Sequence, residues 1–285
     1  MIRSDFRLFD RLRVRWAEID AQNIVFNGHY LMYFDTAVAA YWRALALPYA
    51  QTMQRLGGDM YVRKATLTYE ASARYDDLLD VGMRCARIGT SSMTFEGQVF
   101  RQDQPLVGCE LIYVFADPLS QTSRPVPPAL REALEAFEAG EPMVQLTVGT
   151  WKELGAQARA VRTEVFIDEQ RIPMALEWDE VDDTAVHAVA CNRLGQVLAT
   201  GRLLAQGDGV GRIGRMACVQ AVRGSGVGRQ VLDALTDVAR QRADRCLTLH
   251  AQVSARPFYE RAGYRASGEV FDEAGIAHVE MTRRL

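Results

Sequence analysis

The sequence has almost no excess of either charge and no long apolar run. Lys and Arg total 33 and Asp and Glu total 36, giving a formal net charge of −3, so no basic excess is available to neutralise nucleic-acid phosphates. No stretch approaches the roughly 18 apolar residues of a membrane-spanning helix. The N-terminus, MIRSDFRLFDRLRVRW, lacks the apolar core of a secretory signal. The sequence therefore predicts a cytoplasmic protein whose partners are neither nucleic acids nor membranes.

Metal-binding and redox motifs are also missing. The five cysteines are widely spaced, none forms a CxxC pair, and an odd number is typical of reduced thiols in the cytoplasm. His187, His250 and His278 lie far apart in the sequence without the spacing of metal ligands, so no metal site is expected.

A change of composition divides the 285 residues in two. Residues 117–128, DPLSQTSRPVPP, are rich in Pro, Ser and Thr, which interrupt regular strand pairing. A helical pattern follows over residues 129–137 and then stops. We therefore expect two domains, residues 1–142 and 143–285, joined by a short linker near residues 139–144.

The first half is predicted to pack one long helix against an antiparallel sheet, an α+β arrangement. Alternating residues predict a first strand over residues 9–17, and apolar residues at helical spacing predict a helix from Gly28 to Leu45. Further strands are expected near residues 61–75, 79–88, 91–101 and 105–116.

Asp20 lies where the first predicted strand gives way to a loop that leads into this helix. Its carboxylate is placed to act on a ligand at the helix N-terminus, where free backbone N–H groups between Asn27 and His29 can polarise a carbonyl. A carboxylate with such donors can attack a thioester or activate water against it. The alternative from spacing alone is that Asp20 caps the loop and His29 is a surface residue.

The same segment resembles the 4-hydroxybenzoyl-CoA thioesterase family of hotdog-fold enzymes. The residues that match the family's pattern are Arg15, Asp20, Val25, Tyr30 and Leu31. The likeness covers residues 5–137, with Asn23 where the family often has Gly. It implies a hotdog fold, acyl-CoA substrates, Asp20 as the catalytic carboxylate and the Asn27 N–H as donor to the thioester oxygen. It also implies a homodimer or homotetramer through this domain, and it leaves open whether His29 positions water.

The second half alternates helices and strands in a different order. Helices are predicted over residues 151–169 and in RGSGVGRQVLDALTDVARQ and ARPFYERAG, and strands near residues 184–192, 196–205 and 212–220, in CLTLHAQV and over residues 276–283. In RGSGVG, residues 223–228, glycines let the backbone approach a ligand, and the helix that follows directs N–H groups at it. Arg223 and Arg229 add positive charge, so the segment suits a pyrophosphate; the alternative is a plain turn.

A second glycine motif, GVGRIG at residues 209–214, is not a dinucleotide fingerprint. That fingerprint needs a strand before it and a helix after it. Here AQGD precedes the motif, and the apolar MACVQAV that follows is typical of a strand. The sequence also lacks the GK[ST] of a P-loop and the G-x-S-x-G of a hydrolase elbow.

RGSGVG resembles the R-x-x-G-x-G acetyl-CoA loop of the GNAT acetyltransferase superfamily. Other segments agree in order over about residues 145–285, namely VFIDEQRIP, ATGRLL, GRIGRMACV, LHAQ and ARPFYERAGY. The resemblance implies a mixed α/β GNAT domain that takes coenzyme A or acetyl-CoA as its substrate and acetylates an amine, with Tyr259 as the candidate general acid. The binding residues it implies are Met216, Cys218, Arg223, Gly224, Ser225, Gly226, Val227, Gly228 and Arg229.

The amine acceptor is not identified by the sequence. Residues of a suitable type for its base are Glu169, Glu177, Asp179, Glu180, Asp182, Asp183, His187 and His250. The acids of EWDEVDD, residues 177–183, could attract a cationic amine, although the pattern favours a solvated loop. His250, on a predicted interior strand, is interpreted as a satisfied core histidine.

Both halves therefore point to acyl-CoA ligands. The preferred hypothesis is a bifunctional acyl-CoA thioesterase and N-acetyltransferase. Two alternatives stay open. In one, a single half is catalytic and the other binds coenzyme A as a sensor or scaffold. In the other, the hotdog half serves mainly to oligomerise the acetyltransferase.

Overall fold

Three helices and an antiparallel sheet build the first of two units in the computed structural model, which describes residues 1–285. The units are Met1–Met143 and Val144–Leu285. The strands of the first unit are β1 (Leu8–Arg13), β2 (Asp59–Tyr69), β3 (Leu78–Ile88), β4 (Ser92–Arg101) and β5 (Gln104–Ala116). Its helices are α1 (Asn27–Ala44), α2 (Tyr49–Leu56) and α3 (Pro128–Ala139). The strands lie in the order β1-β3-β4-β5-β2.

The long helix α1 packs against this sheet through one apolar face. Phe34 and Tyr41 on that face are fully buried. Gly97 on β4 permits the close approach, because a Cβ there would lie 2.7 Å from the Phe34 ring and 2.5 Å from Met83 Sδ. Burying side chains of this size stabilises the unit by about 1.5–3 kcal/mol each. The core of the first unit therefore lies between α1 and the sheet.

The sequence sets both ends of α3. Pro128 occupies its first turn, where a missing N–H costs nothing, and Gly140 follows its end with a left-handed φ of 84°. The ring of Phe137 meets Tyr41 edge to face at 4.9 Å. The Tyr41 hydroxyl donates a hydrogen bond to Glu138. These contacts attach α3 to the core beside α1.

The second unit is a seven-stranded mixed sheet with four α-helices. Its strands are β6 (Val144–Gly149), β7 (Val186–Asn192), β8 (Val197–Ala205), β9 (Val210–Cys218), β10 (Cys246–Gln252), β11 (Arg265–Glu273) and β12 (Ile276–Arg284). Its helices are α4 (Trp151–Arg162), α5 (Met174–Glu177), α6 (Val227–Gln241) and α7 (Arg256–Arg261). The order is β11-β12-β10-β9-β8-β7-β6, and only β9 and β10 run parallel.

The predicted α+β arrangement of a helix against an antiparallel sheet, followed by a mixed α/β unit, is confirmed. Several boundaries were wrong. The first strand ends at Arg13 rather than at residue 17, because the Glu18 carboxylate accepts the Arg15 N–H at 2.7 Å and closes a turn. The helix predicted over residues 151–169 changes to a π-helix at Thr163–Glu169.

Two strands have no counterpart in the sequence predictions. The first, β6, overlaps the predicted linker and is a six-residue edge strand that pairs with β7. The second, β11, contains Gly268 with a φ of 86°, and its register with β12 shifts there. Short edge strands and strands broken by a glycine carry little alternation, which is why the pattern did not reveal them.

Candidate functional site

The loop before α1 is closed by hydrogen bonds around Asp20. The Asp20 N–H donates to the Ile24 carbonyl at 2.9 Å, and Oδ1 of Asp20 accepts the Gln22 N–H at 2.8 Å. Asn23 adopts the left-handed φ of 59° that the turn requires. The Asp20 side chain therefore caps the loop through one oxygen and is only half-buried.

Helix α1 opens directly beside this loop. Its first residue is Asn27, so the N–H groups of Asn27 and Gly28 have no acceptor within the helix. The His29 N–H, which the sequence predicted to be free, donates to the Phe26 carbonyl at 2.9 Å. The preceding residue, Phe26, donates its N–H to the Glu18 carbonyl at 2.9 Å. The Asn27 carbonyl accepts a hydrogen bond from the Tyr69 hydroxyl at 3.2 Å. The structure thus brings the loop of Asp20 and the start of α1 together, as the sequence predicted.

His29 lies in the first turn of α1 with its ring edge against Phe26, the ring centroids 6.0 Å apart. Its Nδ1 is buried and has no hydrogen-bond partner in the chain. A buried polar atom without a partner is unusual. It marks His29 as a group that a bound molecule could satisfy.

Glu18 is a buried carboxylate beside the same loop that the sequence analysis missed. It accepts hydrogen bonds from the Arg15 guanidinium at 2.5 and 2.8 Å and from the Tyr33 hydroxyl at 2.8 Å. Burial raises the pKa of Glu18, but these hydrogen bonds outweigh burial and hold the pKa below its ordinary value. Glu18 therefore stays ionised and fixes the loop. The R-x-x-E spacing of Arg15 and Glu18 was the sequence feature that could have predicted this pair.

The second unit contains a cleft where β9 and β10 separate. The two strands pair only from Cys246↔Val210 to Thr248↔Arg212 and then diverge. The cleft has a volume of about 610 Å³, within the usual range for small-molecule sites. Met216 and Tyr259, both singled out from the sequence, line it.

A bulge in β9 shapes one wall of this cleft. The pairing of β8 with β9 shifts between Thr200↔Ala217 and Arg202↔Gly214. Arg215 has a left-handed φ of 51° there. Gly201 on β8 lets Met216 of the bulge pack close to that strand, because a Cβ at Gly201 would lie 2.4 Å from Met216 Sδ. Backbone groups of the bulged residues are consequently left free of the β8–β9 ladder.

The glycine-rich loop enters α6 as predicted. Gly224 and Gly226 have left-handed φ values of 84° and 91°, and an added Cβ at either would meet open space. The helix begins at Val227, so its first N–H groups point out of the loop. Ser225 donates its hydroxyl to the Val222 carbonyl at 2.6 Å and so stabilises the turn.

The two arginines of this loop are held by carboxylates. Arg223 makes a bidentate pair with Glu169 at 2.7 and 2.5 Å and donates Nε to the Cys218 carbonyl at 2.9 Å. Arg229 pairs with Asp233 at 2.8 Å, one turn along α6. The partner of Arg223 could not be predicted, because Glu169 lies 54 residues earlier. Asp233 follows Arg229 at the i,i+4 spacing of a helical ion pair, which was the signal for it.

The expectation of a solvated loop was wrong for three of the five acids of EWDEVDD, because Glu177, Asp179 and Asp182 are paired with arginines. Glu180 and Asp183 are exposed. Arg162 is almost fully buried and binds Glu177 at 2.5 Å and both oxygens of Asp182 at 2.8 and 2.9 Å. Arg202 binds Asp179 at 2.5 Å and Asp182 at 2.7 Å. Since buried charges need partners, guanidinium groups from α4 and β8 draw this segment inward.

His250 is not a core histidine, which corrects the second expectation. Its side chain is 31% exposed and lines the cleft. By contrast, His187 is buried, and its Nε2 lies 2.9 Å from the Asp182 carbonyl. Burial lowers the pKa of His187, so it is neutral at physiological pH.

Two family models match the chain in the predicted order. The thioesterase superfamily model matches residues 22–107, and the acetyltransferase (GNAT) domain model matches residues 152–285. The chain belongs to the thioesterase and GNAT acetyltransferase superfamilies. The first unit is thus a hotdog thioesterase-superfamily domain and the second a GNAT domain. Together they form a two-domain protein related to acyl-CoA enzymes.

Relatives are found for each domain. Over the GNAT domain the chain is 36% identical across 124 residues to the uncharacterised N-acetyltransferase YjcF of Bacillus subtilis, covering 43% of this chain and 87% of the relative. Over the thioesterase domain it is 31% identical across 93 residues to an Aquifex aeolicus protein provisionally named an esterase, covering 33% of this chain and 72% of the relative. A solved structure of a provisionally named N-acetyltransferase from Lactobacillus plantarum is 34% identical, covers 50% of this chain and 99% of its own, and has a TM-score of 0.48.

No helix of either domain combines the length and the apolar character needed to cross a membrane.

Proposed function

We propose that this chain is a bifunctional acyl-CoA enzyme. Its thioesterase domain hydrolyses acyl-CoA thioesters with Asp20 as nucleophile or general base. Its GNAT domain transfers the acetyl group of acetyl-CoA to an amine with Tyr259 as general acid. The observation that best supports the hydrolase is the half-buried Asp20 carboxylate beside the open first turn of α1. For the transferase it is the cleft between β9 and β10 that Tyr259 lines.

Hydrolysis uses groups at the start of α1. The thioester oxygen lies against the N–H of Asn27, whose hydrogen-bond capacity the helix does not use. Asp20 either attacks the carbonyl carbon or takes a proton from an attacking water. His29 remains a candidate for positioning that water, because its buried Nδ1 lacks a partner.

The surroundings of Asp20 favour a homodimer or homotetramer through the thioesterase domain. Trp16 and Tyr75 meet edge to face at 5.4 Å and are 73% and 52% exposed, and Phe26 and Tyr69 are 51% and 53% exposed. An open aromatic patch of this kind is typical of an interface. A second copy would bury it and enclose the acyl group.

Sedimentation of the intact chain is expected to give a dimer or tetramer, and Trp16→Glu is expected to shift it toward monomer. The physical reason is that a charge at this exposed aromatic residue would be desolvated by association. Val148→Glu, at another exposed apolar residue, is the matched control and should not dissociate the assembly. A wild-type monomer with full hydrolase activity would contradict this prediction.

Acetyl transfer uses the glycine-rich loop and the cleft. The diphosphate of acetyl-CoA lies against N–H groups of the loop over residues 224–228, with Arg223 and Arg229 beside it. The Ser225 N–H is not among them, because it donates to the Val222 carbonyl at 3.3 Å. The pantetheine arm then runs along the backbone of Cys218 and Met216. Burial raises the pKa of Tyr259, so its hydroxyl keeps the proton that the departing thiolate needs.

The alternative is that only one domain is catalytic and the other serves as a sensor of coenzyme A or as an oligomerisation module. Two readouts on the intact chain distinguish these cases. One is free thiol from acyl-CoAs without amine, and the other is acetylated amine from acetyl-CoA. A bifunctional enzyme gives both, whereas a sensor or oligomerisation domain leaves one silent while coenzyme A binding or assembly persists.

Tyr259→Phe is expected to lower the kcat of acetyl transfer by about 100-fold, because the thiolate loses its proton donor. The KM for acetyl-CoA should change little, since the ring is kept. Tyr264→Phe is the matched control, because Tyr264 is also buried and its ring lies 5.9 Å from that of Tyr259, but it does not line the cleft. Equal rates of amide formation in both variants would contradict the role of Tyr259.

A further inference from the structure

A histidine and a glutamate that the proposed mechanism does not use meet in the GNAT cleft. His250 Nδ1 lies 2.9 Å from Glu273 Oε2, and both residues line the cleft. His250 follows two residues after Thr248, the last residue of β10 that pairs with β9. At about 3.3 Å per residue, it lies about 7 Å past the point where the strands part.

The ring of His250 lies between opposite charges. Arg212 Nη2 lies within hydrogen-bond distance of both ring nitrogens, 3.0 Å from Nδ1 and 3.3 Å from Nε2. Glu273 supplies the negative charge. The titratable or charged groups that face the ring are Arg212 from β9, Glu273 from β11, and His278 and Glu280 from β12.

Other acids near the cleft are engaged elsewhere. Glu177, Asp179 and Asp182 are held by Arg162, Arg202 and Arg215 at 3.3 Å or less. Glu169 is bound by both terminal nitrogens of Arg223. Of the candidate bases considered from the sequence, only His250 both lines the cleft and is free of a salt bridge to an arginine.

We propose that His250 accepts the proton of the acceptor amine and that Glu273 is a positioning residue that fixes the His250 ring. The inference rests on the proposed acetyl transfer. The pantetheine arm of acetyl-CoA passes Cys218 and Met216 and runs toward the point where β9 and β10 part. This path brings the thioester beside His250. Leu176, Val181 and Ile213 also line the cleft, so a small primary amine with an apolar body fits the acceptor end.

Acetyl transfer removes two protons from the acceptor nitrogen. The acceptor arrives as an ammonium ion and passes one proton to Nε2 of His250, which releases it to water. The free amine forms the C–N bond at the thioester carbonyl carbon, and collapse of the adduct breaks the C–S bond. Tyr259 protonates the thiolate and regains a proton from the positively charged nitrogen of the adduct, which leaves the neutral amide. One proton is released for each acetyl group transferred.

The test compares acceptors that need a base with one that does not. Tyramine, benzylamine and hexylamine are protonated at neutral pH, whereas hydroxylamine is not. His250→Gln is expected to lower kcat/KM for the protonated amines by about 100-fold or more. The rate with hydroxylamine is corrected by subtracting the enzyme-free background. In His250→Gln this corrected rate should stay within a few-fold of the wild-type rate. Acetylated products are measured by mass spectrometry, which thiol release in the thioesterase domain does not disturb.

Glu273→Gln should show the same dependence on acceptor with a smaller loss, because the ring is misplaced rather than removed. His278→Gln is the matched control, since His278 lines the cleft but its Nδ1 is 2.8 Å from the Ile276 carbonyl rather than from Glu273. The affinity for acetyl-CoA, measured by calorimetry, should be unchanged in every variant.

Each result decides between the proposals. A wild-type protein that does not bind acetyl-CoA, or acetylates no acceptor, would overturn the transferase itself. Wild-type turnover of protonated amines that His250→Gln retains would overturn only the base. Wild-type turnover of hydroxylamine alone would also overturn the base, because no acceptor that needs a base would then be used. An equal loss of both acceptor types in His250→Gln would overturn it as well, because the loss would then not follow the protonation of the acceptor.

Discussion

Asp20→Asn is expected to lower the release of free thiol from acyl-CoAs, with no amine present, by about 100-fold or more. An amide can neither attack the thioester nor take a proton from water. Its oxygen can still accept the Gln22 N–H that Oδ1 of Asp20 accepts at 2.8 Å, so the loop before α1 should stay folded. The assay runs wild type and variant side by side on short, long and aromatic acyl-CoAs.

Asp35→Asn is the matched control, because it removes an exposed carboxylate from α1 itself. Slow hydrolysis in the GNAT cleft is separated by repeating the assay in Asp20→Asn combined with Tyr259→Phe. Thiol release that vanishes only when Asp20 is changed would rank the substrates of the thioesterase domain. Release that is equal in wild type and Asp20→Asn, or absent from both, would contradict the role of Asp20.

Arg162→Met is expected to destabilise the GNAT domain by about 3–5 kcal/mol, the usual cost of removing one partner from a buried ion-pair network. Arg162 is 1% exposed and supplies hydrogen bonds to Glu177 and Asp182, which are 3% and 2% exposed. The substitution keeps an unbranched apolar chain of similar length, so the loss would come mainly from the two carboxylates left behind. Chemical denaturation followed by tryptophan fluorescence measures it.

Arg159→Met is the control for this experiment, since Arg159 lies one turn earlier on α4 and is exposed. Its guanidinium sits 5.0 Å from the Trp151 ring and 4.8 Å from the Trp178 ring. Exposed contacts of this type contribute about 0.5–1 kcal/mol. A loss no larger for Arg162→Met than for Arg159→Met would show that the network does not stabilise the domain.

The sequence predicted most of the architecture, because hydrophobic periodicity over a long segment is enough to predict a helix or a strand. Helix α1 was expected from Gly28 to Leu45 and spans Asn27–Ala44, and the glycine-rich loop was expected to enter α6 as it does. Strand β6 was not predicted, because it is a short edge strand beside proline and glycine. The two superfamilies were recognised from motifs, and both are confirmed.

Long-range charge pairing could not be predicted. Arg162 is followed by Glu177 fifteen residues later and by Asp182 twenty residues later, and nothing in the intervening sequence signals that all three are buried. An acid cluster is ordinarily solvated, so the interpretation of EWDEVDD failed. The roles of Asp20, Asn27, His29 and Tyr259, and of Met216, Cys218 and residues 223–229 in binding coenzyme A, stay predictions.

Arg223 is paired with Glu169 before any ligand binds. If the loop binds coenzyme A as proposed, a phosphate of the ligand exchanges with the Glu169 carboxylate on the Arg223 guanidinium. Each terminal nitrogen of Arg223 already gives one of its two hydrogens to this carboxylate, so a phosphate that binds the same face of the guanidinium displaces Glu169. Hydrogen bonds from Arg223 hold the pKa of Glu169 below its ordinary value. Once released, Glu169 regains its proton affinity, so binding in acidic solution takes up a proton. The affinity of the loop for its ligand is thereby linked to pH through a residue that the ligand displaces.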